Sequence, residues 1–318
     1  VDCGGQRRPY DFAFDNGEAT LVYADTANWT FTLAKVDGSS WATDDRQFGG
    51  DHGRMIHGVC AVGDRSFVTC SEDNSVKLYT PSKIEDSQVG DDWRCTQTLD
   101  LHIGPVKCLA SCDEFVVSGG ARSQWFLYRV ITDENGGISL WVENGGMMML
   151  DQEGVESARI MAADITLAAH MPSVILGDSA GNVWSGHGEP RSLQFSSIYH
   201  RSSACLAVTC GPSETGWPSV AGYADGNLVR LDDRKCLPVH AAGVNALAWT
   251  SKGHLVSGGD DQDLVVSDIK RMIVLSRVSL AHLAGIHALA AGGKVLNREF
   301  EEIYSLGWDR QLKTWAFP

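Results

Sequence analysis

A short strand–turn–strand pattern recurs seven times along this chain of 318 residues, and such repetition restricts the folds open to it. Each copy begins with a β-branched or apolar residue followed by a small or polar one, then turns and closes with a second strand. The copies lie at 22–33, 68–79, 117–128, 175–186, 220–231, 256–267 and 304–315, and the first is the most degenerate. A single hairpin cannot bury both of its faces, so the copies must pack against one another.

Five of the hairpins follow a histidine that lies four residues before a short apolar segment. These histidines are His52, His102, His200, His240 and His282. The apolar segments, among them VKCLA and VNALA, are typical of inner strands buried between neighbouring repeats. The turn of four hairpins carries an aspartate, at Asp73, Asp225, Asp261 and Asp309.

Together these residues resemble the WD-repeat family, whose fold is a β-propeller. In that family the histidine, a serine or threonine of the strand, the turn aspartate and a Trp-like aromatic form a buried hydrogen-bonded set. The resemblance predicts three sets: His52, Thr69, Asp73 and Tyr79; His240, Ser257 and Asp261; and His282, Ser305, Asp309 and Trp315. We therefore predict an all-β fold, a seven-bladed propeller with four-stranded antiparallel blades.

The predicted propeller is a single domain that uses the whole chain. Its blades are expected at about 10–50, 51–100, 101–154, 155–198, 199–238, 239–280 and 281–318. We expect the N-terminal segment, residues 1–9, to supply the outer strand that closes the ring. Since the first residue is Val1 rather than Met, we also expect a processed chain or a fragment of a longer, multi-propeller protein.

Insertions interrupt the repeats at 80–100, at 131–158 and around 294–302. Long loops on a rigid scaffold are usual sites of partner contact. The segment 131–158 contains six acidic residues and no Lys or Arg, so it is a poor candidate for contact with RNA. Within it, Gly145 and Gly146 predict a hairpin turn followed by an outer strand at 147–150, and an adaptable apolar contact is the alternative for 147–150.

Composition limits the environment of the chain. The net charge of −14 disfavours a surface that wraps nucleic acid by neutralising phosphates. No apolar stretch approaches the roughly 18–20 residues needed to cross a bilayer, and no signal-peptide pattern is present, so no membrane is expected. Nine cysteines, three of them in predicted inner strands, favour a reducing compartment. We expect a cytoplasmic protein, and a nuclear location stays open.

We predict no catalytic site. The segment 177–181 (GDSAG) matches the G-x-S-x-G pattern of hydrolase nucleophiles, but it lies in a hairpin turn and not at a strand-to-helix turn. The His, Asp and Ser of each repeat resemble a triad only in composition. Neither a C-x-x-C pair with zinc spacing nor a phosphate-binding loop is present, so we expect no metal and no cofactor.

A closer resemblance rests on the order of departures from the repeat consensus. The third repeat has Arg122 where an aspartate is usual, in the segment 118–124 (SGGARSQ), which follows 67–76 and 102–110. Later segments fit the same order, at 156–161, 177–183, 240–247, 257–261, 281–282 and 309–312. Over residues 50–318 the chain resembles the C-terminal propeller in the family of WD-repeat protein six. That protein is the non-catalytic WD-repeat subunit of the eukaryotic tRNA wobble-nucleotide 2′-O-ribose methyltransferase.

The resemblance implies a scaffold that holds a separate methyltransferase subunit, which uses S-adenosylmethionine, and helps to present the tRNA anticodon loop to it. Contact with tRNA is expected only through the complex. The candidate partner-binding residues are Arg122, Gln124, Trp125, Trp308 and Arg310. Exposed Trp and Arg anchor many interfaces, although Trp125 and Trp308 could equally pack between blades, and Arg122 could bond only its own turn.

Two other functions stay open. One is a general WD-repeat adaptor of another complex, such as a ubiquitin-ligase substrate receptor or a trafficking or coat scaffold. The other is an enzyme built on a propeller. An enzyme predicts a charged funnel at the channel mouth with carboxylates of perturbed pKa, whereas an adaptor predicts an apolar patch with Trp and Arg on one rim.

Overall fold

Antiparallel hairpins succeed one another along the whole described chain. The computed structural model describes residues 11–14, 20–25, 30–37, 40–49, 51–63, 66–82, 92–148, 158–211, 215–291 and 301–317. Within these residues each strand pairs with the strand that follows it in its sheet, as short connections between β-rich segments require. The expected closing strand at residues 1–9 lies outside the described residues.

The first three sheets each have four strands in chain order. The first contains β1 (Phe12–Phe14), β2 (Thr20–Asp25), β3 (Thr30–Asp37) and β4 (Ser40–Gly49). The second contains β5 (Ile56–Val62), β6 (Ser66–Ser71), β7 (Val76–Ser82) and β8 (Asp92–Leu99). The third contains β9 (Val106–Cys112), β10 (Phe115–Gly120), β11 (Gln124–Thr132) and β12 (Ile138–Met147).

The next three sheets repeat this order. The fourth contains β13 (Ile160–Ala168), β14 (Met171–Asp178), β15 (Asn182–His187) and β16 (Phe195–His200). The fifth contains β17 (Cys205–Thr209), β18 (Val220–Tyr223), β19 (Asn227–Arg230) and β20 (Lys235–Pro238). The sixth contains β21 (Val244–Trp249), β22 (Leu255–Gly259), β23 (Leu264–Asp268) and β24 (Ile273–Val278).

The last sheet has three strands in the described part of the chain: β25 (Ile286–Ala291), β26 (Glu301–Gly307) and β27 (Leu312–Phe317). The prediction of seven four-stranded blades is therefore wrong, because the described residues form six such blades and not seven. Each sequence repeat marks only the hairpin formed by the second and third strands, whereas a complete blade has four strands. The all-β propeller with antiparallel four-stranded blades is confirmed.

The inner strands surround a central channel. Consecutive inner strands contact one another, from β1 to β5 and so on through β9, β13, β17, β21 and β25. Apolar side chains of adjacent sheets fill the wedges between them; Val117 of the third blade and Leu176 of the fourth share one such core. Burial of these wedges is the main stabilising term, and it requires every sheet to have a neighbour on each side.

Glycines permit the closest approach between sheets. A Cβ on Gly119 would lie 2.5 Å from Ile160 of the next blade, and a Cβ on Gly258 would lie 2.5 Å from Ile286. In both places the first residue of an inner strand packs onto bare backbone of the preceding sheet. The Ser-Gly-Gly sequences of the repeats thus serve packing between blades.

The third blade differs from the expectation at its outer edge. Gly145 and Gly146 do not form a hairpin turn; they lie inside β12, opposite Phe126 and Trp125 of β11. A Cβ on Gly145 would overlap the ring of Phe126, so glycine is needed there for close approach and not for a turn. The outer strand accordingly begins at Ile138, earlier than predicted.

Helical structure in the described segments is limited to two short 3₁₀ turns, Ala121–Ser123 and Pro190–Ser192. No helix there is long and apolar enough to cross a membrane. The cysteines of the described segments are all free thiols, and most of them are buried among apolar side chains.

Candidate functional site

The predicted set of the last repeat forms one continuous hydrogen-bond chain. The indole N–H of Trp315 donates to the hydroxyl of Ser305 (2.7 Å), which donates to Nε2 of His282 (2.7 Å). Nδ1 of His282 donates to Asp309 (2.9 Å), whose carboxylate also accepts the backbone N–H of Leu283 (2.9 Å). The set joins the loop before β25 to the turn before β27.

The second blade has the same arrangement. His52 bonds to Thr69 (2.7 Å) through Nε2 and to Asp73 (2.8 Å) through Nδ1, and Tyr79 is buried at the position that corresponds to Trp315. Asp73 also accepts the backbone N–H of Gly53 (2.9 Å). Burial alone would raise the pKa of Asp73, but hydrogen bonds, first of all from His52, hold that pKa well below its usual range.

The sixth blade repeats the set with His240 between Ser257 (2.9 Å) and Asp261 (2.8 Å). Burial lowers the pKa of His240, as it does for His282, and the neighbouring aspartates oppose this effect only in part. Both imidazoles are therefore neutral near pH 7, donating from Nδ1 and accepting at Nε2. A neutral, fully engaged imidazole is a structural element and not a free base.

The third blade has no aspartate in this set and satisfies the loop amide with another residue. His102 bonds to Ser118 (2.7 Å), but its Nδ1 has no hydrogen-bond partner among the described residues, and burial lowers the pKa of His102 to about 4. In the other sets the aspartate also accepts the backbone N–H of the residue after the histidine. Here Oε1 of Gln124 accepts that N–H, which belongs to Ile103 (2.8 Å). Arg122 is left exposed in the turn with φ at 57°.

The fifth blade has an arginine in the histidine position. Nε of Arg201 donates to Asp225 (2.6 Å), and its guanidinium lies 5.8 Å from the ring centroid of Tyr223. His200, which the repeat pattern suggested for this position, instead bonds to Asn182 of the fourth blade (3.0 Å). The pattern was offset by one residue here, because β17 begins at Cys205 and not at Ala204.

The turn that contains 177–181 is held together by Asp178. This fully buried carboxylate accepts the backbone N–H groups of Ala180 and Asn182 and the indole N–H of Trp184, each at 2.9 Å. Ser179 accepts the backbone N–H of Arg159 (3.0 Å). Asp178 therefore fixes a turn at this position, a role that sequence inspection missed.

Loops and turns are tied together on one face of the ring. From the second sheet to the last, the backbone N–H at the start of the second-to-third-strand turn donates to a carbonyl of the loop that leads into the inner strand. The pairs are Glu72–Met55, Ala121–Pro105, Ser179–Arg159, Ala224–Ala204, Asp260–Gly243 and Trp308–Gly285. We call the surface made by these loops and turns the mouth face.

A ring of six side chains surrounds the channel at this face. The second residue of each inner strand from β5 to β25 lies outside the regular pairing, as the extra residue of a β-bulge. These residues, here called the mouth ring, are His57, Lys107, Met161, Leu206, Asn245 and His287. All six are half-buried and line one cavity of about 790 Å³. Bulges redirect side chains, so the same backbone position in six sheets brings six side chains of differing chemistry to the channel mouth.

One sector of the mouth ring is charged. The ammonium of Lys107 donates to Glu72 (3.0 Å) and lies 2.8 Å from Nε2 of His57. Burial, and secondly the charge of Lys107, lowers the pKa of His57. Although burial would raise it, hydrogen bonds from Lys107 and His57 lower the pKa of Glu72. Glu72 is thus an ion-pair partner and is not poised as a general acid.

The opposite sector combines an aromatic stack with a carboxylate. The ring of Trp308 stacks on His287, with centroids 3.6 Å apart and planes 12° apart. Asp260 accepts a hydrogen bond from Asn245 (2.7 Å) and lies 3.6 Å from Nε2 of His287. The mouth therefore has an anionic, aromatic side facing a side that contains Lys107.

Exposed apolar and cationic side chains surround this mouth. Leu280 and Leu283 are 70% and 82% exposed, and Leu101 and Ile103 on the third blade are also exposed. Exposed arginines of the mouth face are Arg54, Arg122, Arg159 and Arg310. The surface thus has the apolar, Trp-bearing and Arg-bearing rim expected of an adaptor, together with a charged channel mouth.

The candidate partner-binding residues separate into two groups. Trp308 lines the mouth, and Arg122 and Arg310 are exposed on the same face. Gln124 and Trp125 are buried; the indole of Trp125 packs against Phe195 with centroids 4.7 Å apart. Burial places these two within the blade, where a docked protein cannot reach them without rearrangement.

Another channel carboxylate with a perturbed pKa, that of Asp164, is engaged by the chain itself. Burial raises the pKa of Asp164, and its carboxylate accepts the backbone N–H groups of Cys210 (2.7 Å) and Ile165 (2.9 Å). It also accepts the hydroxyl proton of Thr209 (3.1 Å), so it ties the fourth blade to the fifth. Among the described residues no cluster of three His, Cys, Asp or Glu side chains could hold a metal ion.

Comparisons with known proteins agree with this geometry. Residues 232–268 match the family model described as WD domain, G-beta repeat. A search of curated protein sequences finds no match. The crystal structure of Saccharomyces cerevisiae Sqt1 superposes with a TM-score of 0.71 at 9% identity, covering 98% of this chain and 96% of that one. Altogether 1289 chains of solved structure match, so the likeness identifies the fold and leaves the function open.

Proposed function

We propose that the chain is a non-catalytic scaffold whose mouth face docks a protein partner. The observation that carries the proposal is the mouth ring, in which six bulged residues bring different side chains to one opening. WD40 propellers are generally interaction scaffolds, and the matched repeat at 232–268 supports that class here. A rigid ring that binds two partners holds them close together, which raises the effective concentration of each for the other.

The arrangement of the mouth face supports docking in physical terms. Exposed leucines give a partner apolar area to bury, while the exposed carboxylate of Asp260 and the exposed arginines of the mouth face give it orientation. Glu72 and Asp164 are already engaged by hydrogen bonds of the chain. Binding is therefore better supported than proton transfer.

For the identity of the partner, we propose the tRNA wobble-nucleotide 2′-O-ribose methyltransferase. The support is the resemblance to the WD-repeat subunit of that enzyme, above all at the turn that contains Arg122. Gln124 accepts the hydrogen bond from the backbone N–H that an aspartate usually accepts, and the guanidinium of Arg122 stays on the surface. An exposed arginine on the same face as the exposed Ile103 is a suitable interface anchor.

We propose that tRNA is reached only through this complex, in the cytoplasm or nucleus. The net charge of −14 and the lack of Lys and Arg at 131–158 support contact with protein over contact with RNA. The scaffold would orient the methyltransferase, which supplies S-adenosylmethionine chemistry, toward the anticodon loop.

We expect Arg122→Glu to reduce capture of the co-expressed methyltransferase. The matched control is Arg234→Glu, because Arg234 is also exposed with a positive φ (60°, against 57° for Arg122) but lies in a third-to-fourth-strand turn. Charge reversal at the contact replaces attraction by repulsion, whereas the control changes net charge equally. Capture is measured by affinity pull-down with quantified band ratios.

Equal capture by the two variants would place the contact away from Arg122. Failure of the unaltered chain to capture the methyltransferase would remove this partner and leave a WD-repeat adaptor of another complex.

A further inference from the structure

The outer edge of the sixth blade is exposed and apolar. In its sheet β24 pairs only with β23, and no strand of the described residues pairs with its other side. Ile273, Val274 and Leu275 are 43%, 38% and 45% exposed. Three consecutive aliphatic residues on a free strand edge form a template for pairing with another strand.

Two other outer strands, β20 and β16, carry the usual protection against such pairing. β20 contains Lys235 and Pro238, and β16 exposes Ser196 and Ser197. Lysine, proline and polar residues on an edge discourage strand addition. β24 has no lysine, proline or polar residue between Ile273 and Leu275, and its polar residues, Ser276 and Arg277, follow that run.

The pairing register leaves one residue of this edge outside the regular ladder. The pairing with β23 shifts between Val266 and Ser267, which leaves Leu275 without a direct partner. Val278, at the end of the strand, joins the core between the sixth blade and the last sheet, whereas Ile273, Val274 and Leu275 do not. The apolar run therefore contributes little to the core of the ring.

The charged residues beside β24 indicate which kind of segment would pair with it. Lys270 and Arg271 are exposed just before β24; Lys270 forms no ion pair within the described segments, and Arg271 lies 3.7 Å from Asp268. Arg277 is already engaged, since it donates to Asp263 (2.7 Å). The available positive charge thus lies at the N-terminal end of β24.

A second copy of this chain fits the edge poorly. An antiparallel pair centred on Val274 would place Arg271 of one copy opposite Arg277 of the other. Like charges directly opposite each other destabilise a strand pair. A different protein segment, with carboxylates at that end, would instead meet attraction.

We propose that β24 accepts an added strand from a partner protein: an extended, apolar segment that pairs antiparallel and ends in acidic residues beside Lys270 and Arg271. Main-chain hydrogen bonds would hold the segment, and the two cations would fix its direction. This surface is separate from the mouth face, so the scaffold could hold two partners at once.

The test uses the full chain and two synthetic peptides of alternating Thr and Val, one ending in Asp-Glu and the other in Lys-Lys. Fluorescence anisotropy should show saturable binding of the acidic peptide, weaker by about tenfold or more for the basic one. Val274→Asp should weaken binding of the acidic peptide by a similar factor, and the matched edge variant Ser197→Asp should leave it unchanged. Both positions are exposed, so both variants should fold, as checked by circular dichroism.

A double reversal, Lys270→Glu with Arg271→Glu, should invert the preference between the two peptides. Hydrogen exchange should then show added protection in β24 on binding of the acidic peptide to the unaltered chain. The proposal is overturned by absence of saturable binding, by equal affinity for both peptides, or by Val274→Asp binding as well as the unaltered chain. It is also overturned if sedimentation shows dimers of the chain that Val274→Asp dissociates.

Discussion

We expect His282→Ala to lower the free energy of unfolding by about 3 kcal/mol, and His102→Ala to lower it by about half as much. His282 bonds to both Ser305 and Asp309, so its removal leaves a buried hydroxyl and a buried carboxylate each short of a partner. His102 bonds only to Ser118, and its removal also eliminates an unsatisfied ring nitrogen. Both rings are buried, so the cavity terms are comparable.

Urea unfolding of the two variants and the unaltered chain measures the difference, and an unchanged slope with urea shows that the same folded state is compared. A cost for His102→Ala equal to or above that for His282→Ala would mean that the hydrogen-bonded sets do not hold the loops of the mouth face.

The second large effect concerns the turn at 177–181. We expect Gly181→Ala to destabilise the chain by at least about 3 kcal/mol, for two reasons. An alanine is strained at this positive φ, and its Cβ would overlap backbone atoms. Gly181 has φ at 91°, and a Cβ there would overlap the carbonyl oxygen of Arg201 and lie 2.5 Å from that of Ser203. Ser179→Ala should cost only about 1 kcal/mol, since it removes one acceptor for the amide of Arg159.

This pair of variants also separates a structural turn from a hydrolase nucleophile. Thermal and urea unfolding give the stabilities, and hydrolysis of a nitrophenyl ester gives any esterase activity. Ester hydrolysis that Ser179→Ala abolishes without a loss of stability would establish 177–181 as a catalytic motif and contradict the scaffold account.

The hairpins and their hydrogen-bonded sets were predictable because their members recur at fixed spacing. His282, Ser305 and Asp309 occupy the places that the repeat assigns to them, as do His240, Ser257 and Asp261. The number of complete blades was not predictable in this way. A fourth strand carries no motif of its own, so counting hairpins overestimates complete blades.

The exposed residues of the third-blade turn were harder to predict. The loss of the aspartate at Arg122 suggested Gln124 and Trp125 as candidates for partner contact, with packing of Trp125 between blades as the alternative. The backbone N–H of Ile103 still needs an acceptor, however, and Gln124 supplies it from inside the blade. Where a motif residue is missing, the next residue able to satisfy the same buried amide is therefore a candidate for a structural role.

The mouth ring had a sequence signal that the repeat pattern did not reveal. Four of its members lie five residues after a repeat histidine: His57, Lys107, Asn245 and His287. Their alternation with buried residues looks like ordinary strand periodicity, and only the bulged pairing shows that they turn into the channel mouth. A position that varies in chemistry at a constant distance from a structural motif is a reasonable marker of a recognition surface.

We propose that this chain positions a methyltransferase and performs no chemistry itself. The most direct measurement is wobble-nucleotide 2′-O-methylation of tRNA with labelled S-adenosylmethionine, using the methyltransferase alone, the chain alone and the two together. The account predicts no methylation by the chain alone, and a higher rate for the pair than for the methyltransferase, reduced by Arg122→Glu but not by Arg234→Glu. Methylation by the chain alone, or a rate that the chain leaves unchanged, would contradict it.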